Sequence, residues 1–235
     1  MRTSGVVVLG LLYASALAGQ QSVSEQLAGR LSPPVIATVA ALADSAAARG
    51  LPSEPIVDKA IEGSTKGVPE ARIVSAARAV LDELDVAATA ARTGGVGAPG
   101  PDLIEAGAFG LNAGLHAADV TELVRGSQAP YPPGLVLRVA GTLTALGVPA
   151  AQAVRAVERA LATHASPADL ADLPRELQLG MAHGVSAGDA ADGLGHGAPH
   201  WQGGGGGSPP PGAVTHGPPS QLPPSPPHGK SGHGP

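Results

Sequence analysis

Residues 69–95 read PEARIVSAARAVLDELDVAATAARTGG, and this stretch decides the fold. Its apolar positions are Ile73, Val74, Ala77, Val80, Leu81, Leu84, Ala88 and Ala91. That is the i, i+3, i+4, i+7 rhythm of an amphipathic helix. Glu70 stands at the positive end of the helix dipole and Arg92 at the negative end, both favourable placements. Gly94-Gly95 then stops the helix. No other stretch shows convincing strand alternation, so the expected fold class is all-α.

Working outward, a short motif recurs five times: Gly, then Val or Leu, then a residue that caps or breaks a helix. The copies are Gly50-Leu51-Pro52, Gly67-Val68-Pro69, Gly114-Leu115-His116, Gly147-Val148-Pro149 and Gly184-Val185-Ser186. Each reads as a helix-to-helix corner. Glycine takes the left-handed conformation just past a helix end, the apolar residue packs back on the last turn, and the third residue opens the next helix. Ser186 with Asp189 three residues on, and Pro149 as a first-turn proline, suit that last role.

Further helix starts fall at Pro101-Asp102, Pro132-Pro133 and Ser166-Pro167, and Ser32 is placed to cap a helix from Pro33 to about Arg49. Pro101, Pro133 and Pro167 are 32 and 34 residues apart. The expectation over residues 32–192 is therefore a helical domain of short helix pairs, either an irregular helical bundle or a short α-solenoid of helix hairpins. The spacing resembles tetratricopeptide or ankyrin arrays, but the aromatic positions of the first and the Thr-Pro-Leu-His of the second are missing. Small alanine-lined faces let helix axes approach toward the low end of the usual range.

Both ends read differently. Residues 1–18 have a positive Arg2, a short apolar run from Val6 to Leu12 and a small-x-small site at Ala16-Leu17-Ala18, the pattern of a secretory signal peptide. The apolar run is about a dozen residues, shorter than the roughly 20 that a spanning helix needs. An uncleaved anchor or a buried N-terminal helix are the other readings. Residues 19–31 read as a linker. Residues 193–235 are proline-rich and of low complexity, with 13 Gly and 11 Pro, and almost nothing apolar to bury. A disordered tail is expected there. It holds five of the eight His: His196, His200, His216, His228 and His233. Neutral imidazoles ligate divalent metals, so these five are the metal-ligating candidates. Their irregular spacing, the lack of any tail carboxylate, and Gly197 and Pro199 between the first two favour a solvated tail instead.

Composition narrows the function classes. The 235 residues include no Cys, which removes disulfides, thiolate metal sites and cysteine nucleophiles. A net charge of −5 argues against nucleic acid as a partner. Ala alone supplies 44 residues, and after signal cleavage only Phe109, Tyr131 and Trp201 remain as aromatics, so modest stability is expected.

The search for chemistry is thin. No His-Glu-x-x-His, Gly-x-Ser-x-Gly or Ser-x-x-Lys occurs. Gly63-Ser64-Thr65-Lys66-Gly67 holds the letters of a phosphate loop in the wrong order and reads as a polar helix end. Asp82, Glu83 and Asp85 read as a solvated helix face rather than acid–base partners. His116 with Asp119 reads as a cap, with Glu122 nearby as the only other tempting acid. His164 and His183 fall near helix ends, and Phe109, Tyr131 and Met181 are expected to fill core gaps. No catalytic residue and no cofactor are assigned.

The segment from Gly50 to Leu84, above all Gly50-Leu51-Pro52-Ser53-Glu54-Pro55-Ile56-Val57-Asp58-Lys59-Ala60-Ile61-Glu62-Gly63 and Lys66-Gly67-Val68-Pro69, resembles a recurring segment of exported bacterial proteins of unknown function. The resemblance implies an envelope setting and transfers no residue role. The expectation is an exported, periplasmic or secreted, non-catalytic structural or interaction protein. Its partner is an unknown protein of the cell envelope, and no transmembrane helix remains after signal cleavage. The alternatives are an envelope enzyme with an unrecognised site, or a weak metal-handling protein using the tail histidines.

Overall fold

The computed structural model describes residues 22–194. Residues 1–18, read as a signal peptide, and the five tail histidines of the stretch read as a disordered tail lie outside the described residues. Within them are ten helices and no strand: α1 (Val23–Leu27), α2 (Pro33–Ala48), α3 (Glu54–Thr65), α4 (Glu70–Thr93), α5 (Pro101–Ala113), α6 (Ala117–Gly126), α7 (Pro133–Ala145), α8 (Ala150–Ala162), α9 (Pro167–Ala182) and α10 (Ala187–Gly193).

Each of the five glycine corners has positive φ, from 64° at Gly67 to 112° at Gly114. Their hydrogen bonds explain why. At the α3–α4 corner the Gly67 N–H donates to the Ser64 carbonyl at 3.1 Å, and the Val68 N–H reaches back to Gly63 at 2.9 Å. This bond pair satisfies the carbonyls that a helix end leaves orphaned. The same pair recurs at the other four corners, and the apolar residue after the glycine is buried at Leu51, Leu115 and Val148. Two further corners use the same bonds: Gly95-Val96 after α4, and His164-Ala165 after α8. His164 is the only non-glycine residue with positive φ among the described residues, at 56°.

Helix packing follows chain order. The pairs are α1/α2, α3/α4, α5/α6, α7/α8 and α9/α10, and the substantial helix contacts run only within a pair or between neighbouring pairs. The second helices form a continuous row, α2 on α4, α4 on α6, α6 on α8 and α8 on α10. The first helices stack as α1 on α3, α5 on α7 and α7 on α9. Between α3 and α5 this row is interrupted, because the long α4 packs against both. Nearest-neighbour stacking of helix hairpins is the property that the expected solenoid shares with this packing, while the interrupted first-helix row keeps the stack irregular.

The buried side chains form two clusters. One runs from Leu27 to Ala108 and the other from Ala90 to Leu194. They interleave along α4 and α5, where Ala88 belongs to the first and Ala90 to the second. Close approach depends on missing side chains. A Cβ on Gly141 of α7 would stand 3.0 Å from the Gly110 Cα of α5 and 2.9 Å from the Phe109 ring. A Cβ on Gly107 would stand 2.9 Å from the Ala87 Cβ of α4.

Both expected domain edges move outward. Part of the supposed 19–31 linker is helix α1, held by a reciprocal cap between Ser22 and Glu25, with Leu27 fully buried. Five residues are too few to display a helical period, so the stretch read as a linker. At the other end α10 continues to Gly193 and Leu194 is buried, so the packed region ends later than residue 192. The start of α2 also differs in detail. The Ser32 side chain makes no cap to its own helix. Its N–H and Oγ instead donate to the two carboxylate oxygens of Glu70 on α4, each at 2.7 Å.

Candidate functional site

Where α3 and α5 make no substantial contact, α4 forms the floor of a groove of about 280 Å³. Pro55 and Lys59 line it from α3, Val80, Glu83 and Leu84 from α4, and Glu105, Ala108, Phe109 and Asn112 from α5. The Phe109 ring is 44% exposed, which overturns its expected core role. Its inner edge lies against Gly141, so the close approach of α5 and α7 fixes the ring. Lys59 pairs with Glu62 at 3.0 Å, and the Asn112 amide donates to Glu83 at 3.3 Å. Glu105, half-buried, has no ion pair or hydrogen bond among the described residues.

A second groove of about 300 Å³ lies between α4 and α6, lined by Asp85, Val86, Thr89, Ala90, Thr93, Ala117, Ala118 and Thr121. Thr121 donates to the Ala90 and Ala117 carbonyls, and the exposed Thr93 donates to the Thr89 carbonyl of its own helix. Asp85 is paired with Arg49 at 3.3 Å. Val86 is exposed here, and the groove's one charged side chain, Asp85, is ion-paired.

The acids read as a solvated face of α4 divide. Asp82 is exposed, while Glu83 and Asp85 are half-buried and tie α4 to α5 and α2. His116 and Asp119 form a cap at the start of α6, with the His116 N–H donating to Asp119 at 2.8 Å. Glu122 does not join them. Burial first, and then the charge of Glu122, push the Glu158 carboxyl of α8 above its ordinary value. Burial also raises Glu176 on α9. Glu62 is held down at about 2 by hydrogen bonds from Lys66 and Lys59 and by their charges, which makes Gly63–Gly67 a charge-paired helix end. Glu70 is lowered by its two bonds from Ser32, and Asp169 by its cap with Ser166.

Tyr131 is buried as expected, and its hydroxyl donates to the Ala165 carbonyl at the His164 corner. Met181 is 37% exposed, so it does not fill the core. His183 caps the end of α9. Among the described residues, no group of three or more His, Asp or Glu is placed to hold a metal. None of their helices is long and apolar enough to cross a membrane.

Sequence reading missed the groove residues Lys59, Glu105 and Asn112. Only the helical register was available to find them, and register cannot show that α3 and α5 stay apart. Comparison with protein-family models, curated proteins and solved structures finds no match, so no residue role comes to this chain from a relative.

Proposed function

We propose that this chain is an exported, non-catalytic helical scaffold that presents its hairpin stack to a protein partner in the cell envelope. The observation that carries the reading is the groove at the interrupted first-helix row, walled by the exposed Phe109 ring and the unpaired Glu105. Solenoids expose extended surface along their stacked repeats, and ligands of such proteins lie along it. A half-exposed aromatic held rigid by packing is a favourable anchor for a partner, because little side-chain entropy remains to be lost on binding. The signal-like residues 1–18 support the exported half of the proposal.

The test is photo-cross-linking in cells, with the reactive group placed beside Phe109 or, as a control, at Arg30. A discrete adduct from the groove position alone is the expected result. Identical patterns from both positions would count against the scaffold reading. N-terminal sequencing of the extracytoplasmic form should begin at Gly19, and recovery of the chain only in the cytoplasm would remove the export claim.

A further inference from the structure

We propose that the α3–α4–α5 groove is a docking site for a peptide segment carrying an arginine or lysine between aliphatic residues. This deepens the scaffold reading and rests on it. The floor and walls are apolar at Val80, Leu84, Ala108 and the Phe109 ring, which suits aliphatic side chains. The charge points one way. From Glu54 to Ala113, the span of the three helices, nine acidic residues face five basic ones, a net of −4. Of the charged side chains that line the groove itself, Glu83 and Glu105 are acidic and Lys59 is the single cation.

Local pairing sharpens the point. The Lys59 ammonium is already engaged by Glu62, and Glu83 accepts only from a neutral amide. Glu105 is left without a partner one helical turn from Phe109 on α5. Residues i and i+4 share a helix face. A cation seated there meets a carboxylate and the face of an aromatic ring together, and both attract it. An acidic segment would meet unpaired like charge on the same wall. A wholly apolar one would leave Glu105 facing it without compensation.

The chain has one Phe, so protein labelled only at phenylalanine gives a ring signal that reports on the groove directly. The full chain is titrated with a blocked pentapeptide holding arginine between two leucines, and with its glutamate counterpart. The arginine peptide is expected to shift the Phe109 signal saturably, and the glutamate peptide to leave it unmoved. Glu105→Gln should weaken the arginine peptide by about two- to fivefold. Because Phe109→Ala also removes packing on Gly141, Glu105→Gln is the deciding variant, with helix content checked by circular dichroism. Equal binding of both peptides, no shift with either, or unchanged affinity in Glu105→Gln would overturn the proposal. If that happened while the groove cross-link persisted, the scaffold reading would stand with a partner of different chemistry.

Discussion

The α5/α7 seam and the α3/α5 gap share one helix, and Phe109 of α5 borders both. Both are places where first helices of neighbouring pairs could stack. At α5/α7 they do, because Gly141 lacks the side chain that would stand against the Gly110 backbone and the Phe109 ring. At α3/α5 they make no substantial contact, and the 24-residue α4 packs against both helices. The difference teaches that a regular hairpin stack is set by side-chain volume at the crossings and by the length of the intervening helix. The same α5 therefore contributes to tight packing at Gly141 and, through the Phe109 ring that packs there, to the groove.

The seam is the easier of the two to break. Gly141→Ala places a methyl against the Gly110 backbone, and backbone in a packed helix pair cannot move aside cheaply. The expected loss is about 1–3 kcal/mol in urea unfolding, opposed by at most about 1 kcal/mol of helix propensity. Gly134→Ala on the same helix meets nothing closer than 3.8 Å, and should be neutral or slightly stabilising. Equal effects from the two substitutions would refute the volume argument.

The regular half also carries a local strain that the other corners lack. His164 adopts the left-handed conformation that glycine takes at the five corner motifs. His164→Gly should therefore raise stability by about 0.5–1 kcal/mol, read as a higher urea midpoint with an unchanged slope. Should the midpoint fall, the histidine ring makes a contribution that its backbone geometry does not reveal.

Acid separates the two halves by the smallest margin. Glu62 and Glu70 in the second pair have lowered values, so their stabilisation is present above the ordinary 4.5 and is lost as pH falls through their folded values. Asp169 in the last pair behaves the same way. Glu158 and Glu176 have raised values, so their ionisation weakens the fold at neutral pH and stability returns as pH falls through those values. Acidification from neutral pH toward about 2 should loosen α2–α4 before α8–α9. Rate-corrected hydrogen exchange resolves the two regions, and uniform loss of protection would contradict this order. All five groups are largely solvated, so screening keeps the effect modest.

The helices and their corners were legible in the sequence. Gly67-Val68-Pro69 announced one corner through three residues, since both bonds that build it close within six positions. His164 escaped the same reading because histidine carries no turn signal of its own. The groove was not legible. Phe109 reads as a core residue in any list of apolar positions, and only the separation of α3 from α5 leaves its ring half in water. Glu70 reads as an acid at its own helix start, yet its carboxylate holds Ser32, 38 residues earlier.

By itself, then, the sequence determined where the chain turns and which rods it makes, because caps, helix ends and glycine dihedrals are satisfied by near neighbours. The stacking order, the break in the first-helix row and the exposure of one aromatic ring were decided only in the tertiary structure. Those features depend on which distant surfaces fit, and a surface acquires its shape only once the helices beside it are in place.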